Sequence, residues 1–277
     1  MTVAVPFRRL AGHLVVLPVR CGDAEAPFVL DSGIGLTLLT GAFAGRAGAA
    51  ATGATFSGQR MSGQTVTAPL VRVPELSVGG HRFREVTAAR FELERLPADL
   101  APIGGFLGLS LFEQNPLVVD YGAEVVRIEP GGSRRDVPAG EVEVPARPRR
   151  VGPSVDLEVD LTLPSGRVAR VEVDMGSDAL ILHRRYMAEL GLSPDGPGVR
   201  TVRGRDETGH AYVRFGATLA GRIQLTGAPA FSQDAPAVVF QEIIHDGLIG
   251  DAFLRRYRVR FDVGRARIGF APRTTGS

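Results

Sequence analysis

The chain repeats itself, and no other feature of the sequence limits its fold as strongly. Residues 28–48, FVLDSGIGLTLLTGAFAGRAG, align with residues 171–191, VEVDMGSDALILHRRYMAELG, when Asp31 is set on Asp174, an offset of 143. Gly33 then meets Gly176, Phe43 meets Tyr186 and Gly48 meets Gly191. Residues 105–130 and 247–272 align at an offset of 142, with Gly108 on Gly250, Asp120 on Asp262 and Pro130 on Pro272. Two separated blocks that keep register to within one residue imply two copies of one structural unit, differing by a single loop deletion. The expected organisation is a first copy over 1–132, a linker over 133–153 and a second copy over 154–277. The linker is rich in Gly, Pro and Arg and is predicted to hold one short strand, Glu141–Val144.

Within each copy the patterning is mainly that of strands. Leu14–Arg20 and Pro27–Leu30 flank the Gly22–Asp23 turn as a hairpin, and Val155–Leu163 and Arg167–Val173 repeat it around Pro164-Ser165-Gly166. One short helix follows each Asp-x-Gly, capped by Thr40 in the first copy and predicted over His183–Leu190, ended by Gly191, in the second. Closing strands are expected at Leu117–Asp120, Val125–Ile128, Val259–Asp262 and Arg267–Phe270. Asp120 and Asp262 precede turns and read as turn stabilisers. The 35 glycines and 19 prolines agree with frequent turns.

Composition removes several function classes. All 32 basic residues are arginine, and they are interleaved with 30 acids for a net charge of +2. No basic stripe with aromatic platforms is present, so no nucleic-acid partner is expected, and the Arg147, Arg149, Arg150 cluster reads as a solvated linker face. The lone Cys21 rules out an internal disulfide and reads as a small buried or edge thiol. The N-terminal apolar run is broken by Gly12 and His13, and no apolar stretch reaches ~18 residues. No signal peptide and no membrane span are therefore expected, and the reading is a cytoplasmic protein. The five histidines lack metal-ligand spacing, Gly33-Ile34-Gly35 lacks the third glycine of a dinucleotide fingerprint, and no Gly-x-Ser-x-Gly elbow occurs. No metal and no cofactor are expected.

The chemistry sits in the repeat. Each copy offers an Asp at the end of an apolar strand followed by x-Gly, and about 75 residues later two apolar residues and a glycine: Phe106-Leu107-Gly108 and Leu248-Ile249-Gly250. The glycines permit a tight loop and close approach to another backbone. Asp-Ser-Gly followed by a strand, a short helix, a hairpin and an apolar-apolar-Gly motif resembles one lobe of the pepsin and retropepsin-like aspartic proteases. Two in tandem resemble their single-chain members, of a bacterial type with two retropepsin-like lobes. The resemblance covers nearly the whole chain outside the linker and the tail. It implies an all-β fold of two homologous six- to seven-stranded lobes, each with one short helix, around a central cleft. It also implies Asp31 and Asp174 as a catalytic pair sharing one proton, and Ser32, Gly33, Met175, Gly176 and Ser177 as loop support. Two carboxyl groups held close cannot both ionise, so one acts as general base on a water while the other donates to the substrate carbonyl.

A flap is expected over Thr55–Thr67, with Gly58, Arg60 and Met61 at or near its tip, and a counterpart over Arg203–Val213. Such a hairpin would hold an extended peptide by backbone hydrogen bonds. The first flap lacks a tyrosine, which favours the retropepsin-like branch. Met175 stands where the family carries Thr or Ser, so only Ser32 can supply the hydroxyl that locks the two loops together. Ser177 is placed to hydrogen-bond the outer oxygen of Asp174. The function expected is an aspartic endopeptidase acting on a peptide or protein as a monomer with an intramolecular pseudo-dimer, with apolar residues flanking the cut bond. The alternative is a protease-like scaffold that binds peptide or protein without cutting it, and a third arrangement pairs first copies from two chains through Asp31.

Overall fold

The computed structural model describes residues 1–92, 102–132, 137–205 and 209–273. Within them the chain is mainly β, with only two short α-helices, Gly41–Arg46 and Asp251–Leu254. No helix among the described residues is long and apolar enough to cross a membrane.

Three sheets carry the structure. One of eight strands comes from the first half, in the order Arg8–Leu10, Leu14–Cys21, Ala24–Leu30, Gly105–Leu107, Leu38–Thr40, His81–Phe91, Thr65–Val78, Ala50–Gln59. One of ten strands comes from the second half and includes the hairpin Ser154–Thr162 with Val168–Val173. The third is shared: Val3–Pro6, Val125–Ile128, Leu117–Asp120, Tyr257–Asp262, Arg267–Pro272, Val142–Pro145. Its halves meet where Leu117 pairs with Phe261.

The expectation of six or seven strands per copy is therefore corrected to eight and ten, with a common sheet besides. The closing strands explain the difference. All four residues of Leu117–Asp120 are buried, so the strand needs a hydrogen-bonding partner along both edges as well as cover on both faces. The closing strand of the other half supplies the missing edge. The described residues of the linker, 137–153, likewise hold two strands where one was predicted: Val142–Pro145 on the edge of the shared sheet, and Arg147–Val151 paired with Ser154–Thr162.

The helix predicted over His183–Leu190 is also corrected, to a single 3-10 turn, Arg184–Tyr186. Thr40 starts a true α-helix by accepting the N–H of Phe43 three residues on, at 3.1 Å. His183 Nδ1 instead accepts the N–H of Arg185, two residues on, at 3.0 Å, a tighter closure that begins a narrower turn. Asp120 and Asp262 do what their positions suggested: Asp120 Oδ1 accepts from the N–H groups of Gly122 and Ala123, and Asp262 Oδ1 from that of Arg265. Cys21 is buried beside the carbonyl of Ala47.

The same backbone bonds recur in both halves. Asp31 N–H donates to Leu107 O at 3.1 Å, and Asp174 N–H to Ile249 O at 3.0 Å. Leu30 pairs with Leu107 in parallel, as Val173 does with Ile249. A Cβ on Gly108 would lie 2.5 Å from the carbonyl oxygen of Ile34, and one on Gly250 equally close to that of Ser177. At both places glycine is needed because the chain leaving each aspartate loop passes against it.

Candidate active site

Asp31 and Asp174 each follow the last residue of an apolar strand, Leu30 and Val173. Each strand is pinned on both sides within its sheet, so the loop that follows starts from a rigid base. Each loop turns back at once, with Asp31 Oδ1 accepting the N–H of Gly33 and Asp174 Oδ1 that of Gly176, both at 2.9 Å. The loops face one another across the junction of the halves. A methyl group on Gly33 would collide with the Asp174 carboxylate, and one on Gly176 with that of Asp31.

The two carboxyl groups face each other at close range, where both cannot readily ionise. Burial drives both pKa values up from the ordinary carboxylate range. Asp174 is raised further, because the negative charge of Asp31 adds to its burial. Asp31 is better compensated, with N–H groups of Gly33, Gly176 and Ile34 turned toward it. Asp31 is only 8% exposed. The pair titrates as a unit.

Ser32 holds the loops together. Its hydroxyl donates to Val173 O at 2.6 Å and accepts the N–H of Met175 at 2.9 Å. Met175 is 1% exposed and packs into the junction without returning such a bond. Ser177 differs from expectation. Its hydroxyl donates to Ala179 O at 3.4 Å, and its backbone N–H, not its side chain, faces Asp174. Turning the hydroxyl onto a neighbouring carbonyl leaves the outer oxygen of Asp174 to main-chain donors.

The hairpin of Ala50–Gln59 and Thr65–Val78 projects where the flap was expected. Its tip closes through Gly63 N–H to Arg60 O, 2.8 Å, and Arg60 N–H to Gln64 O, 2.9 Å. Gly58 lies in the strand before the tip, under the ring of Phe56. Met61 O accepts the N–H of Ile244 at 3.0 Å, so the tip crosses to a loop of the second half. The counterpart hairpin, Arg200–Arg205 with Ala211–Thr218, is also formed; residues 206–208 of the predicted second flap lie outside the described residues.

One group of side chains escaped the sequence reading. Arg149, assigned to a solvated face, reaches Asp156 at 2.8 Å and Glu172 at 3.6 Å, and His245 lies 3.7 Å from Glu172. Burial lifts Asp156 to about 6 and Glu172 well above its ordinary value, and holds His245 down at about 4. The one sequence signal was Glu172, an acid inside an apolar strand where the other copy has Val29.

A family model described as aspartyl protease matches residues 17–111. The match takes in Asp31-Ser32-Gly33, the flap hairpin and Gly108, and ends before the shared sheet and the second half. No curated protein matches the chain.

Proposed function

We propose that the protein is an aspartic endopeptidase built from two lobes, 1–132 and 154–277, in which Asp31 and Asp174 cleave a peptide bond with a water held between them. One observation carries the reading: two carboxyl groups, one from each half, face each other at close range at the ends of matched strands. Asp31, acting as the carboxylate of the pair, takes a proton from the water as the water oxygen attacks the carbonyl carbon. Asp174 gives its proton to the carbonyl oxygen as charge builds there. Collapse of the resulting diol breaks the C–N bond, with a proton passing to the departing nitrogen and the pair returning to its shared-proton state. The flap tip closes over the cleft and excludes water from it. The support is the repeated loop geometry, the aspartyl-protease match over 17–111 and the Ser32 lock. The partner is a peptide or protein, and the site is intramolecular, so the working form is a monomer.

The test is cleavage of a peptide library by wild type, Asp31→Asn and Asp174→Asn between pH 4 and 8, with solution mass measured alongside. Loss by a factor on the order of 10² or more in both variants, in a monomer, supports the proposal. Loss in Asp31→Asn alone would point to a site shared between two chains. Binding without turnover by wild type would make the chain a peptide-binding scaffold.

A further inference from the structure

Two walls flank the aspartate pair, and they match in backbone position but not in chemistry. In the first half Leu10 pairs with Leu14, and Val16 with Val29. These four and Ile103 form a small apolar cluster separate from the main core, with Phe106 packed on it. The second half has the same ladder. Arg149 pairs with Asp156, and Glu158 with Glu172. Val29 and Glu172 each stand two residues before an aspartate of the pair. Ile103 and His245 each precede the residue whose carbonyl caps the next strand, Gly104 O for Thr40 N–H and Asp246 O for His183 N–H. Leu10, Leu14, Val16, Val29 and Ile103 therefore each have an ionisable residue at their counterpart, whereas Phe106 meets the apolar Leu248.

The charged wall borders the cleft. Asp156 Oδ1 lies against Gly35, two residues beyond Gly33 in the Asp31 loop. Glu172 is within electrostatic reach of both Asp31 and Asp174. At the other end His245 follows Ile244, whose N–H is bonded to the flap tip at Met61. The cluster thus spans the distance from the aspartate pair to the flap. It is also incompletely paired. Asp156 and Glu172 share one guanidinium, Arg149, while Glu158 also has Arg147 and Arg170 about it and His245 stays neutral at pH 7. Asp156 is 8% exposed, yet its Oδ1 has no hydrogen-bond partner among the described residues, and neither does Arg149 Nε. Buried polar atoms left in this state are costly, and a ligand that brings a donor satisfies Asp156 Oδ1.

We infer that the two walls select different side chains: the second-half wall takes a basic residue on one side of the scissile bond, and the first-half wall takes an apolar residue on the other. This rests on the endopeptidase reading and replaces its expectation of apolar residues on both sides. A subsite built around unpaired acceptors rejects a side chain that cannot donate to them far more strongly than an apolar pocket rejects one of the wrong size.

The experiment measures binding, so it does not depend on turnover. Four hydroxyethylene peptide isosteres, with Leu/Leu, Arg/Leu, Leu/Arg and Asp/Leu flanking the central hydroxyl, are titrated into wild type and Glu172→Gln by calorimetry at pH 7. One of the two Arg-containing compounds is expected to bind wild type at least about tenfold tighter than Leu/Leu, and Asp/Leu weakest. Glu172→Gln keeps the shape and removes the carboxyl group that would ionise beside an entering guanidinium, and should cut that advantage to about threefold or less. Leu/Leu binding as tightly as either Arg compound overturns the inference and leaves the peptidase reading standing. An Arg preference unchanged in Glu172→Gln overturns the assignment to this wall. Failure of all four to bind wild type overturns both the inference and the peptidase reading.

Discussion

Ser32 is the single hydroxyl that joins the two aspartate loops. Removing it leaves a buried carbonyl at Val173 and a buried N–H at Met175 without partners. Ser32→Ala is expected to cost about 1–3 kcal/mol for each group so stranded and to lower kcat/KM by loosening both loops; urea unfolding and peptide cleavage check this. The sign of the pH dependence also belongs to single residues. Asp156 sits at about 6, above the 3.8 of an ordinary aspartate, and Asp31, Asp174 and Glu172 are displaced the same way. Between roughly pH 4 and 7 the folded chain keeps protons that the unfolded chain has released, so these groups make stability fall as pH rises through that window. The urea midpoint should be higher at pH 5 than at pH 7. Asp174→Asn should raise it at pH 7 and flatten the slope, even as activity is lost. A midpoint that rises from pH 5 to 7 in wild type would contradict the shared-proton pair. The placing of Asp31 and Gly33 on a tight loop was legible in sequence because their spacing recurs at Asp174 and Gly176. The turned-away hydroxyl of Ser177 was not, since rotamers answer to neighbours such as Ala179 O that alignment does not show.

The flap is an element whose tip depends on one backbone geometry. Gly63 has φ +83°, where a β-branched side chain is strained by about 1–3 kcal/mol. Gly63→Val should lower kcat/KM by about tenfold, mostly through KM, with little change in the urea midpoint, because the tip contributes no core. Faster amide hydrogen exchange at Arg60 and Gly63 in the variant would locate the effect in the hairpin; unchanged exchange and unchanged KM would remove the flap from substrate capture. The element-level reading succeeded where periodicity and glycines set the answer, as in the paired hairpins. It failed at His183–Leu190, where a two-residue cap closed a 3-10 turn instead of starting an α-helix. Cap reach is a matter of a few tenths of an ångström, which residue type alone does not specify.

At the scale of the whole molecule the shared sheet ties the halves together, with one cation near its centre. Arg260 is 4% exposed and holds Glu129 and Asp262, each at 3.1 Å, with Glu143 at 3.5 Å. Arg260→Leu leaves three carboxylates about a lost charge and is expected to cost about 3–5 kcal/mol. Because strands of both halves pair directly in that sheet, wild type should melt in one calorimetric transition and the variant in one at lower temperature. Two separate transitions would mean that the halves are energetically independent.

The sequence by itself determined that the chain is mainly strands and that two aligned segments each end a strand in an aspartate followed one residue later by a glycine. Those are local properties, written in spacing and periodicity. Tertiary structure alone decided that the closing strands leave their own units for a common sheet, since edge pairing depends on what lies alongside in space. It also decided that Arg149, Asp156, Glu172 and His245, scattered over almost a hundred positions, form one charged wall beside the aspartate pair. The electrostatics of buried groups follows from distance and desolvation, and neither can be read from order along the chain.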